Sequence, residues 1–144
     1  MQPPYHPLFV HFPIALYLLG VLLTLGALWH KNESIRADYN RFAYWVFFLS
    51  WLAAIAASLV GLVDRGRLDF DDPRQQAMDR HISPAIGFMV LNGLILYIRF
   101  RWSDVLQTSR RWIYLLLIAF GTIALLATGL YGGDLVYDLQ VGLR

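Results

Sequence analysis

A chain of 144 residues has room for one domain, and this one is 58% hydrophobic and 15% charged, with a mean hydropathy of +0.49. A soluble domain of that size cannot hide so much apolar surface in a single core, so lipid is the solvent that the composition calls for. A net charge of +2 without a basic stripe excludes a nucleic-acid surface, and the lack of cysteine excludes disulfides, thiolate metal sites, iron–sulfur clusters and c-type haem attachment.

Four uncharged runs follow one another along the chain: Leu8–Trp29, Phe42–Val63, Ile82–Ile98 and Trp112–Tyr131. Each approaches the roughly 17–25 residues that a helix needs to cross hydrocarbon, where the backbone must satisfy its own hydrogen bonds. The first run has no basic leader and no small-x-small cleavage site, so it reads as a retained helix and not as a cleaved signal. The third is the shortest, and its start is expected to reach back through His81 towards Met78. The predicted fold is all-α, a four-transmembrane-helix bundle occupying residues 1–144 as one domain. Aromatic residues gather at the ends of the runs (Tyr5, Phe9, Trp29, Tyr44, Trp45, Trp102, Trp112, Tyr131, Tyr137), as an interfacial belt requires. Ala53, Ala57 and Gly61 form a small-residue stripe on the second helix, and Gly20, Gly87, Gly93, Gly121 and Gly129 offer further places of close approach.

Loop charge sets the expected orientation. The loops His30–Arg41 and Arg99–Arg111 together hold seven basic and three acidic residues, whereas the ends and the loop Asp64–Arg80 hold five basic and seven acidic ones. The more basic side is expected to be cytoplasmic, with both termini periplasmic in a bacterial inner membrane.

That topology sorts the polar residues. His30 belongs to the basic side, while His6, His11, His81, Asp64 and Asp134 fall at the outer rim. Ionisable groups near lipid are expensive and carry a functional prior. His11 to Asp64 spans 53 residues, as does His81 to Asp134, which suggests two pseudo-repeated helical hairpins. From His81, helical periodicity places Ala85, Phe88 and Asn92 on one face; from His11 it places Ala15, Leu18 and Leu22. Two imidazoles from neighbouring helices beside small residues suit the axial ligands of a b-type haem, and His11 and His81 are the expected pair. His6 would bond a propionate or line a quinone pocket. A zinc or copper site built from His6, His11, His81 and Asp64 is a further alternative, and Asn92 reads first as an interhelical hydrogen bond. No serine has a convincing base and orienting acid, and the interior is too apolar for a transporter.

His6-Pro7-Leu8-Phe9-Val10-His11-Phe12-Pro13-Ile14-Ala15-Leu16 resembles the H-P-x-x-V-H-F-P-I-A-L opening of a bacterial membrane family, domain-of-unknown-function family 2231. Gly132-Gly133-Asp134-Leu135-Val136-Tyr137 is similar to its closing G-G-x-L-V-Y, and His81 through Asn92 to its third-helix pattern of histidine, alanine and asparagine. The resemblance spans the chain and implies a four-helix membrane domain. It also implies a redox neighbourhood, because relatives occur joined to cytochrome c-like carriers. It brings Tyr137 into the candidate cofactor set with His11, His81, His6 and Asn92. One departure stands out: Leu139 occupies a place where the family often has histidine. The leading expectation is a b-haem electron-transfer subunit meeting a quinone or a periplasmic cytochrome. The alternatives are a cofactor-free accessory subunit packed on a larger respiratory or photosynthetic complex, and a periplasm-facing metal-binding protein.

Overall fold

The structure, a computed structural model, describes residues 6–66, 72 and 74–137. Tyr5, Leu139 and the rest of the tail, and residues 67–71 and 73 lie outside the described residues, as do the side chains of His6 and Asp64. Four helices follow in order: α1 (His6–Trp29), α2 (Glu33–Arg65), α3 (Arg74–Arg101) and α4 (Arg111–Tyr137), with a 3-10 turn at Val105–Gln107 before the last. All four are long and apolar enough to cross a membrane. The all-helical bundle is the architecture expected from the sequence.

The helices outlast the apolar runs that announce them. The expected loop His30–Arg41 shrinks to three residues, because α2 starts at Glu33. Asn32 is the reason: its side-chain oxygen accepts the backbone N–H of Ser34 at 3.0 Å and of Ile35 at 3.3 Å, satisfying donors that a helix start leaves open. Beyond it, Glu33–Arg36 and Asp38–Arg41 pair one turn apart at 3.4 Å on the helix surface. α3 likewise begins at Arg74 and runs through Pro84. That proline removes only the bond to the Arg80 carbonyl, near the exposed end of the span.

α1 lies along α2 and α3 along α4, giving two antiparallel hairpins that meet mainly through α2 and α3. The α1–α4 seam is brief and centres on Tyr17. Polarity is inverted relative to a soluble bundle. Thr24, Ser50, Asn92 and Arg99 are buried, while Leu22, Ile123 and Leu130 are 65%, 61% and 72% exposed. Lipid is the medium in which such an outer surface is stable.

Tyr17 is fully buried and touches all three other helices. Its ring meets Phe47 of α2 and Phe88 of α3 edge-on, with centroids 5.1 and 5.0 Å apart, and its hydroxyl donates to the Ile118 carbonyl of α4 at 2.9 Å. Two glycines make the room. A Cβ on Gly20 would lie 2.8 Å from the Phe47 ring, and one on Gly121 would collide with the Tyr17 hydroxyl. Gly87 and Gly129, by contrast, have nothing within 4 Å of a Cβ position. Tyr17→Phe is expected to destabilise the bundle by about 1 kcal/mol and Gly121→Ala by about 1–3 kcal/mol. The double variant should lose less than the sum, because removing the hydroxyl vacates the methyl's space. Reversible unfolding in mixed micelles measures the cycle; strict additivity would refute this packing.

Candidate functional site

The Tyr17–Phe88 contact is a depth marker for the end of the bundle at which α1 and α3 begin. His11 lies six residues outward of Tyr17 and His81 seven outward of Phe88, so both sit about 9–10 Å beyond that contact. They share a level. They do not share an orientation.

His81 is half-buried and stands in the same stripe as Ala85, Phe88 and Asn92, the face that periodicity predicts, and this stripe turns inward. Its Nδ1 lies 3.0 Å from the Thr128 carbonyl of α4. A carbonyl only accepts, so Nδ1 carries the proton, and in the neutral ring the basic lone pair belongs to Nε2. Gly132, one turn beyond Thr128, lets the ring in: a Cβ there would sit 3.1 Å from the imidazole.

His11 is exposed, and so are Ala15, Leu18 and Leu22, which share its face. The inward stripe of α1 passes instead through Pro13, Tyr17, Gly20 and Thr24. Six residues amount to about 600°, which leaves His11 about 120° away from Tyr17 around the helix, whereas seven residues bring His81 back to within about 20° of Phe88. The equal 53-residue spacings therefore match levels and not faces, the two hairpins being out of register by one residue. The position on α1 equivalent to His81 is that of Val10. The backbone of His6, eleven residues before Tyr17, completes about three turns and returns to the Tyr17 face.

The remaining candidates separate. Asn92 is fully buried, with Nδ2 3.4 Å from both the Phe47 carbonyl and Ser50 Oγ, and its Oδ1 has no partner. It is an interhelical contact, with bonds at the long limit of the range. Tyr137 is 82% exposed at the end of α4, and Asp134 is exposed as well. Among the described residues no group of three or more histidines and carboxylates is placed to hold a metal ion.

Arg99 is the residue that sequence reading misplaced. Counted with the loop, it is 93% buried, because α3 continues to Arg101. Its guanidinium donates to the Ser103 carbonyl at 2.8 Å and to the Asn40 carbonyl at 3.1 Å, stitching the α3 end to α2. Seven residues past Asn92, it occupies the same inward stripe, and that spacing was the available signal.

A family profile described as "Predicted membrane protein (DUF2231)" matches residues 2–144. The chain belongs to that family. No curated protein and no solved structure matches it. In this DUF2231 chain the opening motif runs into α1, and the first glycine of the closing motif is Gly132, the surface on which His81 rests. Gly132→Ala in the DUF2231 chain is expected to push the imidazole off the Thr128 carbonyl. Selective ¹⁵N-histidine NMR reads the change: the His81 Nδ1-protonated tautomer should weaken while His30 stays as it was, and an unaltered His81 pattern would contradict the contact.

Proposed function

We propose that this DUF2231 chain is a membrane electron-transfer subunit with a b-type haem site at the outer end of the bundle. The observation that carries the reading is the His81 Nδ1–Thr128 carbonyl bond at 3.0 Å. Histidines that bind metal are regularly oriented in this way by a carbonyl on the other ring nitrogen. Gly132 against the ring supplies a wall without a side chain, and the centre of the bundle is filled by Tyr17, Phe47, Phe88 and Tyr114. These packed rings leave a planar cofactor no place among them. His81 fits one axial position. His11, on the lipid-facing stripe, does not fit the other from inside the bundle; the next candidate on α1 is His6, whose backbone lies on the Tyr17 face about 7–8 Å further along the helix. Such a group would carry single electrons between a quinone or a soluble cytochrome and a larger complex.

A second reading, a cofactor-free accessory subunit, draws on the exposed stripe Ile86, Val90, Leu94 and Tyr97 of α3. These lie one turn apart and form an apolar face for lipid or for a helix of another membrane protein.

Absorbance of the protein purified from haem-replete cells, before and after dithionite, separates the two. A reduced α-band is expected in the wild type and in His11→Ala, and is expected to vanish in His81→Ala and His6→Ala. Loss in His11→Ala with retention in His6→Ala would restore the other pair, and a wild type without haem would leave the accessory reading. Reporter fusions at both ends should place them together on the periplasmic side; opposite sides would remove the shared rim.

A further inference from the structure

The opposite end of the bundle, away from His81, carries a cleft of about 1040 Å³. Its lining includes four arginines, Arg36, Arg41, Arg99 and Arg111, with Glu33 the one acid among them. Arg36 reaches Glu33 and Arg41 reaches Asp38 only at 3.4 Å on exposed surface. Arg99 differs from these. It is 93% buried, its partners are two neutral carbonyls, no carboxylate pairs with it among the described residues, and its Nε bonds nothing. A guanidinium withdrawn from water without a counterion is an expensive arrangement that an anion relieves. Trp45, Leu28 and Phe100 line the same cleft, so the cations adjoin apolar surface at the membrane boundary.

We propose that this cleft binds a phosphate-class anion, the headgroup of an anionic phospholipid, whose acyl chains lie against the Leu28, Trp45 and Phe100 side. Arg99 supplies fixed positive charge at the floor, and Arg36 and Arg111 close on the phosphoryl oxygens from the rim. By loop charge this is the cytoplasmic leaflet, where anionic lipids attract basic residues. Arg101 and Arg110 belong to this end but do not line the cleft, lying over the Trp102 ring 5.4 and 4.9 Å from its centroid, whereas Arg111, over Trp112 at 5.1 Å, does line it. The site is independent of the haem reading.

Native mass spectrometry of the full chain in neutral detergent tests it, with phosphatidylglycerol or phosphatidylcholine added at equal concentration. Titration calorimetry with inorganic phosphate runs in parallel. The expected result is one retained phosphatidylglycerol, bound at least tenfold tighter than phosphatidylcholine. It should weaken at least tenfold in Arg36→Gln and Arg111→Gln and stay unchanged in Arg101→Gln and Arg110→Gln. Because Arg99 also ties α3 to α2, the exposed arginines carry the test, with circular dichroism confirming that each variant is helical. Binding of inorganic phosphate, lost in the same two variants and without lipid preference, would keep the site and assign it to a soluble anion. Binding of neither probe, or equal weakening by all four substitutions, overturns the proposal.

Discussion

In lipid, helices gain little from hiding apolar surface against one another, so specific seams must be closed by packing and by hydrogen bonds. This bundle closes each of its four seams in the same way, with a side-chain donor set on a carbonyl of the neighbouring helix. Ser50 of α2 reaches the Pro13 carbonyl of α1 at 2.8 Å, and Tyr17 of α1 reaches Ile118 of α4 at 2.9 Å. Trp51 of α2 reaches Met89 of α3 at 3.1 Å, and His81 of α3 meets Thr128 of α4 at 3.0 Å. The four bonds form a ring that passes once through every helix. A helical carbonyl has a second lone pair to offer, so each bridge forms without breaking the backbone ladder.

The ring gives Tyr17 and His81 different weights. Tyr17 adds two edge-on aromatic contacts and sits where Gly121 brings α1 and α4 together, a seam with little else to hold it. His81 closes the α3–α4 seam, where the helices already pack at length. A bridge that packing backs up can be given to an ionisable residue without endangering the fold. The structural need for His81 is thus the weaker of the two, and that is why the proposed function turns on it.

Sequence reading recovered the number of helices, their membrane character and the inward stripe of α3, because hydrophobic length and periodicity report burial directly. It left open what one residue of register decides, namely which way each imidazole faces. His11 and His81 are equally spaced from Asp64 and Asp134, yet a slip of one position turns an imidazole by about 100°, and only the Tyr17–Phe88 contact fixes the phase of α1 against α3. Arg99 escaped for a different reason. A charge at the end of an apolar run looks like loop, and nothing local shows that Ser103 and Asn40 carbonyls wait to receive it. The start of α2 was hidden similarly, since polar residues after an Asn cap continue a helix as well as they continue a loop.

α3 carries the central residue of both proposed sites. His81 and Arg99 are eighteen residues apart, five full turns, so they share one face at a separation of about 27 Å, close to the thickness of the hydrocarbon. Between them that face presents Ala85, Phe88, Asn92 and Ile95, of which Asn92 alone is polar, and its Oδ1 has no partner. Asn92 instead turns its Nδ2 to Ser50 Oγ and the Phe47 carbonyl of α2. The two proposed sites are thus held at a fixed distance by one helix, at opposite ends of the bundle.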